Sequence, residues 1–291
     1  MDVGRSVDEV VEQATKEFDA GNYRGAVALL KPLLKDKLSP QQELDVAMWL
    51  SGCYRFLEDS KAALPHAERW VVLVQELHGP RSLDHAQALK ELCMVHQGLK
   101  AFPAARKAIV EALAIMDERG LQQDEQYGGM LAVLGNLDRE QGQYKEALVI
   151  FNKAKAVLVQ YKEGRNYGLV LNSMALCHQK LHQWNEAVAC HKEAVEHIRN
   201  LHGSSHPDYA TALYNLAMLF ADLKQYEEAI PRFEEALAIR QKVFGDQHQR
   251  TVATAKDLAS AREKGQQSNR HLINPGHEFR MCNQCGRSRS T

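Results

Sequence analysis

Apolar residues in this chain recur at helical spacing, in segments that come in pairs. Near the C-terminal end, Leu213, Leu216, Leu219 and Phe220 share one face of a helix. A short polar stretch, Asp222 to Gln225, interrupts it. Ala229, Phe233, Ala236, Leu237 and Val243 then mark the stripe of a second, longer helix. The pattern predicts a helical hairpin whose two stripes face each other.

The hairpin is repeated. The phrase "QYEEA" ending at Ala229 returns as "NYRGA" at Ala26, "DSKAA" at Ala63, "FPAA" at Ala105, "QYKEA" at Ala147 and "QWNEA" at Ala187. Successive alanines lie 37, 42, 42, 40 and 42 residues apart. A second alanine follows in four units, at Ala112, Ala154, Ala194 and Ala236. Upstream stand Leu50, Leu92, Leu134, Met174 and Leu216, in most units followed by a small residue: Ser51, Gly135, Ala175 and Ala217. Small side chains at fixed register predict close crossing of two helix backbones. An aromatic residue before five of the six alanines (Tyr23, Phe102, Tyr144, Trp184, Tyr226) is placed to plug the mouth of the hairpin. Neither helix can bury its stripe alone, so the units must stack. Gly79, Gly203 and Gly245 fall where second helices should end with a positive φ, and Pro207 suits the first turn of the next helix. Thr251 to Lys264 reads as the first helix of a seventh unit, with Leu258 lying 42 residues after Leu216. Its polar outer face is what a capping helix needs. The expected fold is an all-α solenoid of six hairpins plus a capping helix over residues 7–264, followed by a flexible tail over 265–291.

The stretch "HPDYATALYNLAMLFADLKQYEEAIPRFEEALAIRQKVFGDQH", His206 to His248, resembles tetratricopeptide repeats of the long kind found in kinesin light chains. That resemblance implies a right-handed superhelix, with first helices lining a concave groove that binds a peptide or partner protein. It implies no catalysis. Relatives that hold the C-terminal carboxylate of heat-shock chaperones use a clamp of Lys, Asn, Asn, Lys and Arg. The matching positions here are Val11, Thr15, Trp49, Gln87 and Glu91, so that ligand is not expected. The kinesin-type groove carries asparagines just before the small residue, which Asn172 and Asn215 match, with Asn136 one position beyond. An asparagine can both donate to and accept from a peptide backbone. Arg55, Lys90, Arg139 and Lys256 add positive charge on first helices, so the expected ligand has acidic character.

Charge alters little else. Lys and Arg total 36 against 37 Asp and Glu, and the isoelectric point is near 6.9, so net charge favours neither nucleic acid nor a membrane surface. The longest strongly apolar run, Trp70 to Val74, is too short to span a bilayer. Cys53, Cys93, Cys177 and Cys190 sit within helical patterns and read as small buried residues of a reduced, cytoplasmic protein. No Walker loop, G-x-S-x-G or H-E-x-x-H motif occurs, and no enzymatic activity or cofactor is expected. His178 and His182, four apart at a helix end, form a candidate metal pair, whereas His191 replaces the aromatic found at Phe151 and Phe233 and reads as core.

Beyond Gly265 the helical pattern fades. Asn274-Pro275-Gly276 signals a turn. Cys282-x-x-Cys285-Gly286 has the spacing of half a zinc site and resembles the start of a MYND-type zinc finger, without that family's remaining cysteines. The main expectation is a non-catalytic interaction scaffold. The alternative is an adaptor whose tail binds zinc through Cys282 and Cys285, alone or on dimerisation, and recruits a second partner.

Overall fold

The structure, a computed structural model, describes residues 6–161 and 164–273. Thirteen α-helices and no strand occur among the described residues: α1 (Val7–Asp19), α2 (Tyr23–Leu30), α3 (Pro40–Phe56), α4 (Ser60–His78), α5 (Leu83–Gly98), α6 (Phe102–Glu118), α7 (Glu125–Glu140), α8 (Tyr144–Leu158), α9 (Arg165–Lys180), α10 (Trp184–His202), α11 (Pro207–Asp222), α12 (Tyr226–Phe244) and α13 (Gln249–Ile273). A short 3-10 turn, Lys31–Lys35, extends α2. The order is that of six hairpins and a final single helix, as the repeats predict. Packing divides the chain into two compact units, Met1–Ala187 and Val188–Thr291.

In the first unit each helix packs on the next, and first helices also pack on one another: α1 on α3, α3 on α5, α5 on α7 and α7 on α9. In the second, α11 packs on α12 and α12 on α13. The alanines used to align the repeats, Ala26, Ala63, Ala105, Ala147, Ala187 and Ala229, are all buried. So are Ala112, Ala154, Ala194 and Ala236. The small-residue position is equally tight. A Cβ on Gly135 would stand 2.7 Å from Phe151 Cε1, too close for any side chain without displacing that ring. Cys93 fills the same position after Leu92 and is fully buried.

Every hairpin turn has one backbone solution. The residue five before the aligning alanine adopts a left-handed conformation: Gly21 (φ 76°), Glu58 (60°), Lys100 (57°), Gly142 (79°), His182 (57°) and Lys224 (59°). The next residue's N–H then donates back across the helix end, as Asp59 to the Tyr54 carbonyl (2.9 Å), Ala101 to His96 (2.9 Å) and Gln225 to Phe220 (2.8 Å). This pairing satisfies carbonyls that a helix end leaves open. Four of the six positions carry a side chain where glycine is the unstrained choice. The glycines after α4, α10 and α12 have φ of 89°, 81° and 82°, as their positions predict, and Pro207 opens α11.

One boundary differs from the expectation. α13 does not end at Lys264 but continues to Ile273. The helical pattern fades in the sequence at Gly265, yet that glycine is a point of close approach: a Cβ there would lie 3.1 Å from Tyr226 Cβ. The glycine lets α13 lie against the start of α12. The Asn274-Pro275-Gly276 turn and the Cys282–Cys285 pair lie outside the described residues.

Two consequences are measurable. Lys224→Gly should raise the unfolding free energy by about 0.5–1 kcal/mol, as relief of left-handed strain outweighs the greater freedom of the unfolded glycine. A lower denaturant midpoint would contradict the turn geometry. Ala147→Leu should cost roughly 1–3 kcal/mol by overpacking a helix crossing, read from the same denaturant curves.

Candidate functional site

First helices touch their counterparts through side chains about one repeat apart in sequence. Gln42 Nε2 on α3 donates to Asp8 Oδ1 on α1 (2.9 Å). Arg55 Nε and Ser51 Oγ on α3 both donate to Glu91 Oε1 on α5, at 2.8 and 3.3 Å. Gln97 Nε2 on α5 donates to Glu140 Oε1 on α7 (2.7 Å). Ser173 Oγ on α9 donates to Asn136 Oδ1 on α7 (3.2 Å), and Asn166 Nδ2 to Glu125 Oε1 (3.3 Å). In the second unit, Tyr214 OH on α11 donates to Asp257 Oδ2 on α13 (2.7 Å), which holds the Tyr214 hydroxyl up at about 12 together with burial, the larger cause.

The residues expected to face a ligand are bound into this ladder to different degrees. Arg55 is the most committed. Its guanidinium pairs with Glu91, whose side chain is 8 % exposed, and lies 4.3 Å from the centre of the Phe56 ring. Lys90 stands beside this pair. Burial pushes its ammonium below the ordinary value, Glu91 opposes that shift, and Arg55 adds to it. Most of the charge expected from α3 and α5 is therefore spent inside the protein. Asn136 accepts from both Ser173 and Arg139 Nε (3.1 Å), which brings Asn136, Arg139 and the α9 segment around Asn172 together. In the second unit Asn215 is half-buried on α11 and Lys256 is exposed on α13.

Helix α9 adds Leu169, which sequence reading did not single out, beside Leu176, which reads from the sequence as an apolar pocket residue. Leu169 is 58 % exposed and Leu176 37 % exposed, two helical turns apart on the face that carries Asn172 and Ser173. Their exposure is a departure from the inward apolar stripe. For Leu169 the sequence signal was a leucine at a register where sister units place polar residues, such as Gln87 in α5 and Thr211 in α11. Sequence reading also missed Asp138, buried on α7 and ion-paired with Arg106 of α6, and it met Glu91 only as a mismatch to the chaperone clamp.

The histidines and helical cysteines singled out from the sequence serve the fold. His178 Nδ1 bonds Gln183 Oε1 (2.8 Å) and His182 packs edge-on against Trp184, so both serve the hairpin turn. The four helical cysteines are buried; burial pushes the Cys53 and Cys177 thiols up to about 11 and Cys93 up to about 12, which keeps them protonated. His191 is 2 % exposed, and burial lowers it to about 4. No helix of the described residues is long and apolar enough to cross a membrane.

Comparison with known proteins agrees with this architecture. The tetratricopeptide repeat family model matches residues 166–242 and 210–269, and the model for anaphase-promoting complex subunit 5 matches residues 15–126. No curated protein matches the chain. Among solved structures, the chain is similar to the nearly identical TPR-like repeats of a Podosopora anserina protein described as a kinesin light chain (18% identity, 72% of this chain and 99% of that one, TM-score 0.59). It is also similar to the apo quorum sensor NprR of B. thuringiensis (15% identity, 92% and 74%, TM-score 0.65) and to a Rap protein complexed with Competence and Sporulation Factor (16% identity, 92% and 78%, TM-score 0.53). At these identities the likeness is one of fold: a helical repeat array of the tetratricopeptide kind.

His191 makes acid stability testable. Its folded value near 4 lies below the unfolded 6.5, so the unfolded chain binds the proton more readily. The stability it contributes is fully present above about pH 6.5 and is lost progressively as pH falls toward 4, on the order of 3 kcal/mol in total. His191→Phe, which restores the ring found at Phe151 and Phe233, should flatten that part of the stability–pH curve. An unchanged pH dependence in the variant would assign the effect to other groups.

Proposed function

We propose that the protein is a non-catalytic interaction module that binds an extended or helical peptide segment of a partner on its first-helix face, centred in the first unit on α7 and α9. The observation that carries this reading is the exposed pair Leu169 and Leu176 flanking Asn172, with Asn136 and Arg139 alongside. Apolar side chains left in water at two-turn spacing supply anchors, the asparagine amides add polar contacts to a peptide backbone, and Arg139 orients acidic side chains. Arg139 is only partly used by the protein itself, its charge lying 3.7 Å from Glu140. Arg55 and Lys90 contribute mainly by shaping the surface. In the second unit Asn215 and Lys256 offer the same chemistry on α11 and α13. Supporting the reading, a similar structure is of a Rap protein with its factor bound, and one matching family is named for a subunit of a complex. The alternative adaptor reading, zinc held by Cys282 and Cys285, rests on their spacing alone; a cytoplasmic location rests on the reduced cysteines.

Selection from a random peptide library should return sequences with one or two apolar anchors and acidic flanks. Affinity should be on the order of micromolar, because a flexible peptide must be ordered, and should weaken as salt rises. A Leu169→Ser/Asn172→Ala/Arg139→Glu chain with wild-type helicity should lose at least about tenfold in affinity, equivalent to about 1.4 kcal/mol. Retained affinity for every selected peptide would move binding to another face.

A further inference from the structure

The linker between α10 and α11 brings together three side chains that no repeat architecture requires as a set. His202 ends α10, His206 caps α11 and Asp208 lies in its first turn. One ligand atom from each falls within 4.8 Å of the others. His202 Nε2 is 3.9 Å from Asp208 Oδ2, and His206 Nδ1 is 3.7 Å from the same oxygen. The imidazole rings stack with centroids 4.4 Å apart and planes at 24°. We infer that His202, His206 and Asp208 form a binding site for a divalent transition-metal ion of the zinc class. This inference does not rest on the peptide-binding reading.

The chain supplies its own controls, because the same linker is built three times. After α4, the corresponding residues are His78, Ser82 and Asp84, and His78 Nδ1 bonds Asp84 Oδ2 directly at 2.6 Å. After α12, they are Phe244, His248 and Arg250, with Phe244 stacked on His248 at 4.6 Å and 21°. Capping is met equally by Ser82 Oγ (3.1 Å to the His85 N–H) and by His248 Nδ1 (3.2 Å to the Arg250 N–H). Stacking is met by a phenyl ring. Helix entry thus explains a histidine at 206 and an aromatic ring at 202, but not a second imidazole together with a carboxylate. Among these three linkers only the α10–α11 linker carries ligand-type side chains at all three positions without a direct bond consuming two of them.

The chemistry fits a borderline ion. Two neutral imidazoles and one carboxylate are ligands for zinc or its neighbours, and not for calcium or magnesium, which prefer oxygen. Zinc bonds of about 2.0–2.1 Å to nitrogen put tetrahedral ligand atoms about 3.3 Å apart, so modest rotation of the exposed side chains closes the observed separations. Their exposures of 27, 41 and 46 % leave room for that rotation. His206 Nδ1 now accepts the Asp208 N–H at 3.1 Å, and metal binding at that nitrogen replaces the cap. The site lies between the C-terminal end of α10, which favours a cation, and the N-terminal end of α11, which disfavours one, so helix dipoles largely cancel there. Three protein ligands leave a fourth position for water or a donor from a partner.

The test uses the full chain carrying Cys282→Ser and Cys285→Ser, so that the tail thiols cannot contribute. After chelator treatment, Zn2+ titration should show one equivalent bound and a raised melting midpoint, and Co2+ should give visible ligand-field bands without a thiolate charge-transfer band. His202→Phe and His206→Ser install residues that the sister linkers already use, so each variant should fold, with helicity as the check. Each should lose at least about tenfold in metal affinity, as should Asp208→Asn, which decides the matter if either histidine variant unfolds. No uptake by the Cys282→Ser/Cys285→Ser chain, or uptake unchanged in the folded variants, overturns the site.

Discussion

The structure depends on how closely two helices can cross within a hairpin. Six alanines and the small residues opposite them set that distance, and almost nothing larger fits, as the Gly135–Phe151 contact shows. Because the crossing is tight, both apolar stripes reach a shared core. Because it recurs at the same register, each hairpin offers the next the same surface. The left-handed turn residue follows from the same constraint. The chain must reverse within a few residues of the crossing, and one backbone conformation does so while satisfying the freed carbonyls. Glu58, Lys100, His182 and Lys224 adopt it despite the cost of a side chain there, which shows that packing outweighs local preference.

First helices carry a second demand. Their polar side chains must hold neighbouring repeats in register, and in the first unit many of them are used for that purpose. Glu91 gathers Ser51 and Arg55, and Asn136 gathers Arg139 and Ser173. A buried carboxylate that lost these partners would be costly, so the pairing is obligatory and specific. What the ladder does not consume is the exposed leucines on α9 and the outward part of Arg139. Polar residues on a repeat face are therefore poor guides to binding until their internal partners are known.

Much of the fold was legible in the sequence because it is periodic. Alanine spacing gave the hairpin count, the glycines after α4, α10 and α12 marked helix ends, and His191 was recognisable from its register with Phe151 and Phe233. The helix end near Gly265 was misplaced because a helix glycine can serve either as a break or as a close approach, and only Tyr226 across the interface decides between them. The site was less legible. Side chains such as Arg55 and Glu91 meet 36 residues apart, and sequence shows which face each occupies but not which atom it reaches. The turn positions were also hidden, since four of six carry no glycine to announce them.

Packing between neighbours also sets the order in which the chain can assemble. In each unit the packed pairs of elements are adjacent or next but one. Loop closure on this scale is entropically cheap, so any hairpin can serve as a nucleus and growth can proceed from it in either direction. Contact order stays low however many hairpins a unit holds. Folding speed is then set by the best local pair of helices rather than by chain length, and a damaged hairpin interrupts propagation only where it stands.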